Sequence, residues 1–172
     1  MKIVYRSTHP DVLEHWRNTG AAEAQVAWRD RVDATLTDLG FPDSNPVVQG
    51  ETRVIGVTHN GEPPAGWRRN RDLKGTITPA RRTTTGKEIG KRLDALRRPD
   101  PRKNMPGGMP EVAFTGHTFM QCGIAPHGDA IYVTWGAELD SGDATHIAPE
   151  VWERIKTSEF YAVLEAEEAK AS

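Results

Sequence analysis

Apolar and polar positions alternate along this chain in short runs, interrupted by a few stretches of helical spacing. Residues 2–6 predict a strand, with Ile3 and Tyr5 on one face and Val4 on the other. Ser7 and Thr8 ahead of Pro10 signal a helix start, and Leu13 and Trp16 lie on one side of a short helix ending near Gly20. Trp28, Val32, Leu36 and Leu39 then mark a second amphipathic stretch, closed by Gly40. Whether Gly20 separates two helices or interrupts one is left open by the pattern. Residues 47–58 predict one or two strands broken at Gly50, with Val54, Ile55 and Val57 as buried candidates. Asn60-Gly61 is a turn signal. Thr76, Ile77 and Thr78 suggest a strand that Pro79 closes.

Thr85 and Glu88 have the spacing of a capping box, and Ile89, Leu93 and Leu96 follow on one helical face. Lys87, Lys91 and Arg98 project from the opposite face, with Asp94 among them. Residues 100–111 are a loop by composition. Residues 112–123 and 130–137 predict strands joined by a hairpin loop over 125–130. Pro149 opens a predicted helix carrying Val151, Trp152 and Ile155. Thr157 or Ser158 recaps it ahead of Phe160, Val163 and Leu164, and the acidic stretch 165–172 is expected to fray. The pattern holds no repeat and no boundary. It predicts a single α+β domain over 1–172, an antiparallel sheet of four to six strands with two main helical regions and a C-terminal helix.

Composition narrows the class. At 172 residues, 37% hydrophobic and 27% charged, the chain has enough apolar mass for a core. No apolar run approaches the roughly 18–20 residues that span a bilayer, and residues 1–10 turn polar too early for a secretory signal. One cysteine, Cys122, excludes an internal disulfide. The expected location is cytoplasmic, with no membrane partner.

Charge changes the picture further. Residues 67–103 hold thirteen Lys/Arg against four acids, a net +9, and leave −11 for the rest of the chain. That asymmetry implies a charged partner or surface. Trp67 beside Arg68, Arg69 and Arg71 has the composition of a stacking residue flanked by phosphate contacts. Arg81, Arg82, Lys87 and Lys91 extend the basic run toward the next helix. The bland alternative is that these are solvated faces, or pair with acids of the same chain or of a second copy.

Other chemistry is weaker in the pattern. Thr83, Thr84, Thr85, Gly86 and Lys87 echo a phosphate-binding loop, but Arg81 stands where its first glycine belongs and no Ser or Thr follows Lys87. An anion at this helix N-terminus, near Lys87, remains compatible with the sequence. His117, Cys122 and His127, with Asp129, Asp143 and His146 nearby, lack the paired spacing of a zinc site, so neither metal nor cofactor is expected. Cys122 with His117 or His127, and Ser141 with Asp143 and His146, contain the residue types of nucleophilic catalysis without a spacing that demonstrates it.

The opening MKIVYRSTHP, the block PPAGWRRNRDLKGTITPARRTTTGKEI, and IYVTW with PEVWERIKTSEFYAV resemble small uncharacterised proteins of actinobacterial phages and prophages, over about two thirds of the length. The resemblance implies a setting, the bacterial cytoplasm during phage growth or lysogeny, and carries no activity or functional residue. The expected function is a non-catalytic accessory protein that binds nucleic acid or an acidic protein surface through the basic segment. The residues expected to do so are Trp67, Arg68, Arg69, Arg71, Arg81, Arg82, Lys87 and Lys91. Two alternatives stand beside it: a virion assembly protein joined head to tail by opposite charges, with self-association, and an enzyme acting on a nucleotide or nucleic acid.

Overall fold

A computed structural model describes residues 3–108, 111–112, 122–135, 144–145 and 147–172. In chain order the first elements are β1 (Ile3–Ser7), α1 (Pro10–Thr19), α2 (Ala22–Asp38), β2 (Pro46–Gln49), β3 (Arg53–Thr58), β4 (Trp67–Arg69), β5 (Thr76–Pro79) and α3 (Thr84–Asp94). There follow β6 (Glu111–Val112), β7 (Cys122–His127), β8 (Ala130–Trp135), β9 (Ala144–Thr145), β10 (Glu153–Ile155) and α4 (Thr157–Ala171). The class is α+β, with antiparallel strand pairing and a C-terminal helix. No helix among the described residues is long and apolar enough to cross a membrane.

The chain sorts into two compact units, Met1–Asn18 with Pro101–Ser172, and Thr19–Asp100. Among the described residues, two sheets of four strands, ordered β10-β1-β8-β7 and β2-β3-β5-β4, and a small β6-β9 ladder take the place of one sheet.

In the first unit, β1 is buried on both faces, so its side chains enter two clusters. Ile3 and Tyr5 pack with Val12, Ile131, Val133 and Trp152, whereas Val4 packs with Tyr132 and Phe160. The β7–β8 hairpin turns on Gly128 and Asp129 alone, because Ala125 and Pro126 extend the ladder opposite Tyr132 and Ile131. Gly128 takes a φ of +63°, which suits a glycine. The helix expected from Pro149 does not form. A turn held by Ala148 O brings Trp152 into the core, where its Nε1 donates to Pro106 O at 3.1 Å, and residues 153–155 pair with β1 as a strand. Pairing to β1 outweighs the local helical pattern. The stretch expected to fray is helical as far as Ala171, anchored by Phe160 and by His127 Nδ1 against Glu167 Oε2 at 2.6 Å.

Helices α1 and α2 are separate, and in the second unit Trp28, Val32 and Leu36 of α2 are buried as the spacing predicts. Gly40 N donates to Thr37 O and Phe41 N to Leu36 O, the paired bonds of a Schellman cap, with Gly40 at φ +93°. The core sets Trp28, Val32 and Leu36 of α2 and Ile89 and Leu93 of α3 against Val54, Val57, Trp67 and Ile77 of the sheet. Trp28 Nε1 is satisfied by Leu96 O at 2.6 Å. The cap of α3 differs from expectation. Thr83, not Thr85, is the N-cap, and its Oγ1 accepts from Gly86 N at 3.0 Å. That register is set by packing: a Cβ on Gly86 would collide with Ala80 O, so the first turn of α3 lies directly on the end of β5.

Candidate anion-binding groove

The sheet of the Thr19–Asp100 unit has one face in the core and one that forms a groove. In β3, Val54 and Val57 are both fully buried although three apart. Strict alternation would put them on opposite faces. The β2–β3 register shifts between Val47 and Val48, whose partners are Gly56 and Val54, and the extra residue Ile55 restores the phase. Ile55 is consequently half-buried on the groove side, where the sequence pattern expects a core position.

The groove has a volume of about 950 Å³. Arg53, Ile55, Arg68 and Thr78 line it from the strands, the loop 70–73 from one side and residues 79–82 from the other. Among the described residues its lining includes five arginines (Arg53, Arg68, Arg71, Arg81 and Arg82), no lysine and one acid, Asp72. The loop that carries Arg71 is held by an Asx turn, in which Asn70 Oδ1 accepts from Asp72 N at 2.8 Å and Leu73 N at 3.0 Å.

Arg81 is tied down as well as charged. Its two Nη atoms donate to Asp94 Oδ2 and Oδ1 at 3.1 and 2.9 Å, a bidentate pair. Arg53 Nη2 stands 4.0 Å from Asp94 Oδ1. Gly90 makes the crossing feasible, since a Cβ there would lie 2.5 Å from Arg81 Nη1. The hydrogen bonds from Arg81 hold the Asp94 carboxyl below its ordinary range, against an opposing contribution from burial. Arg68, Arg71 and Arg82 have no carboxylate within ion-pair distance among the described residues.

At the floor is Thr78, on β5 directly across from Arg68. Its residue is 8% exposed, and its Oγ1 is shielded from solvent with no hydrogen-bond partner among the described residues. A buried hydroxyl left unpaired costs about 1–3 kcal/mol, and such atoms are few in native proteins. Gly56 lies against it, so that a Cβ there would come within 3.0 Å of Thr78 Cγ2 and collide with Ile77 O. Glycine in this central strand is therefore needed for the close approach of β3 and β5.

The residues expected from the sequence divide among several roles. Arg68, Arg71, Arg81 and Arg82 share the groove. Trp67 does not present its ring for stacking: it is 7% exposed and meets Phe41 edge-on at 5.0 Å. Arg69 is spent on structure, donating to the carbonyls of His59, Asn60 and Gly61 and so pinning the Asn60-Gly61 turn. Lys87 and Lys91 are on α3, outside the groove lining, and Lys91 Nζ is 3.4 Å from Glu88. Arg53, Ile55 and Thr78 also belong to the groove, outside the set that the basic run marks. The signal for Thr78 was its place next to Ile77 in a strand, while Arg53 is brought in only by strand pairing.

His117, Ser141, Asp143 and His146, the side chain of Cys122, and most of the strand expected over 112–123 lie outside the described residues. Among the described residues no three His, Cys, Asp or Glu cluster as metal ligands. No family model, no characterised protein and no solved structure matches the chain.

Proposed function

We propose that this is a non-catalytic binding protein that takes a nucleic acid strand along the groove of the Thr19–Asp100 unit. The observation that carries the reading is five guanidinium groups around one groove with a single acid among the described residues of its lining. Guanidinium forks match phosphate oxygens in pairs, which a lysine ammonium does not. Ile55, Leu73 and Pro79 supply an apolar surface beside them for a base or sugar, in place of the buried Trp67. Asp94 already neutralises Arg81, so Arg68, Arg71 and Arg82 are the cations available to phosphate. A phage or prophage setting, which the sequence resemblance implies, is compatible with such a protein.

Gel-shift titration of DNA and RNA at about 50 and about 200 mM salt tests this. Binding through several phosphates is expected to weaken by orders of magnitude across that range. Replacing Arg68, Arg71 and Arg82 together with Ala is expected to weaken it further and to reduce the salt slope by about 3. No shift at the lower salt would remove nucleic acid as the ligand and leave an acidic protein surface.

A further inference from the structure

We infer that the floor of this groove is a seat for a phosphate monoester, the terminal phosphate of a strand or of a mononucleotide, with the Thr78 hydroxyl as a donor to it. The inference rests on the groove reading above and narrows it from a polyanion to one chemical group.

Three observations converge. First, Thr78 Oγ1 is a buried polar atom that nothing among the described residues satisfies, and Thr78 lines the groove. Such a group is retained at little disadvantage if a ligand completes it. Second, the residue paired across from Thr78 is Arg68, which has no carboxylate partner among the described residues, so a donor and a cation stand side by side on the sheet. Third, the groove lining keeps an excess of positive charge after Asp72 and the Arg81–Asp94 pair are counted. A dianion suits that excess better than a single negative charge.

Burial decides between a terminal and an internal phosphate. A phosphodiester carries a sugar on each side and fits along the rim of a groove. The Thr78 residue is 8% exposed, so whatever reaches its hydroxyl must arrive end-on. A monoester presents three oxygens with one attachment, and can donate none of the hydrogen bonds itself; the Thr78 O–H and the arginine N–H groups supply them.

The test uses the full chain and short single-stranded DNA of one sequence with hydroxyl ends, a 5′-phosphate or a 3′-phosphate, beside adenosine 5′-monophosphate and adenosine. The phosphorylated strands are expected to bind about tenfold or more tightly than the hydroxyl strand, and the monophosphate, but not adenosine, to compete. Thr78→Val keeps the shape and removes the donor. It is expected to abolish the preference while leaving the melting temperature level or raised, and Thr78→Ser to retain the preference. Equal affinity for phosphorylated and hydroxyl strands would overturn the phosphate seat and leave strand binding standing. A phosphate preference unchanged in Thr78→Val would overturn it too, as would a marked loss of stability in that variant, since it would mean the hydroxyl is bonded within the protein. Binding of the monophosphate with no strand bound would support the seat and sink the strand reading, whereas binding of neither would end both.

Discussion

Trp67 and Arg69 are two residues apart in the same basic run, and both are engaged inside the protein, Trp67 by burial and Arg69 by hydrogen bonds to a turn. Strand alternation turns Trp67 into the core beside Phe41, and Arg69 commits three of its N–H donors to carbonyls of the neighbouring turn. A residue between them, Arg68, faces the groove. Asp94 shows the same dependence on neighbours. Its carboxyl is held below the usual 3.8 chiefly by the hydrogen bonds of Arg81. A depressed carboxylate contributes stability that is fully present above its unfolded value and is lost as pH falls through the folded one. The Asp94 side chain is 47% exposed, so solvent screening limits the pair to about 1 kcal/mol or less. In thermal melts between about pH 5 and pH 2, Asp94→Asn is expected to flatten the loss of stability relative to the native chain. An unchanged slope would show that the pair does not contribute in solution.

Helix α3 carries the element-scale lesson. Thr83 and Thr85 both precede an apolar run, and only Thr85 has a Glu three positions on. Contact between Gly86 and Ala80 O sets where the helix starts, and Thr83 takes the cap. Thr83→Ala is expected to cost about 1 kcal/mol in chemical denaturation. Glu88→Ala, which loses only a surface contact with Lys91, is expected to stay within about 0.5 kcal/mol. Comparable losses at both positions would restore the Thr85–Glu88 box. Residues 149–155 make the complementary case, where a helical pattern yields to pairing with β1.

For the whole molecule, folding redistributes charge. The Thr19–Asp100 unit contains fourteen Lys/Arg and eleven acids, a net +3, against −5 for the other unit. The +9 of residues 67–103 is offset in space by acids from elsewhere in the sequence, as when Arg92 meets Asp38 at 2.9 Å. What survives is local: the groove remains arginine-rich although its unit is nearly balanced. The two units also have separate cores, and that of Thr19–Asp100 draws on this continuous segment alone. Residues 19–100 expressed by themselves are therefore expected to melt cooperatively, as followed by calorimetry or circular dichroism. A broad, featureless transition would show that the segment depends on the rest of the chain.

The sequence by itself determined the α+β class, the faces of α2 and α3, the two faces of β1 and the concentration of cations after Trp67. Each of these is a local property, a spacing or a composition, and local properties survive folding. The groove was legible only in part, through Arg68, Arg71, Arg81 and Arg82. That Trp67 turns inward, that Arg53 joins those four, and that the Thr78 hydroxyl is buried with no partner among the described residues depend on the β3 bulge and on which strands pair. Register is a long-range choice made by the core, and no spacing along the chain encodes it.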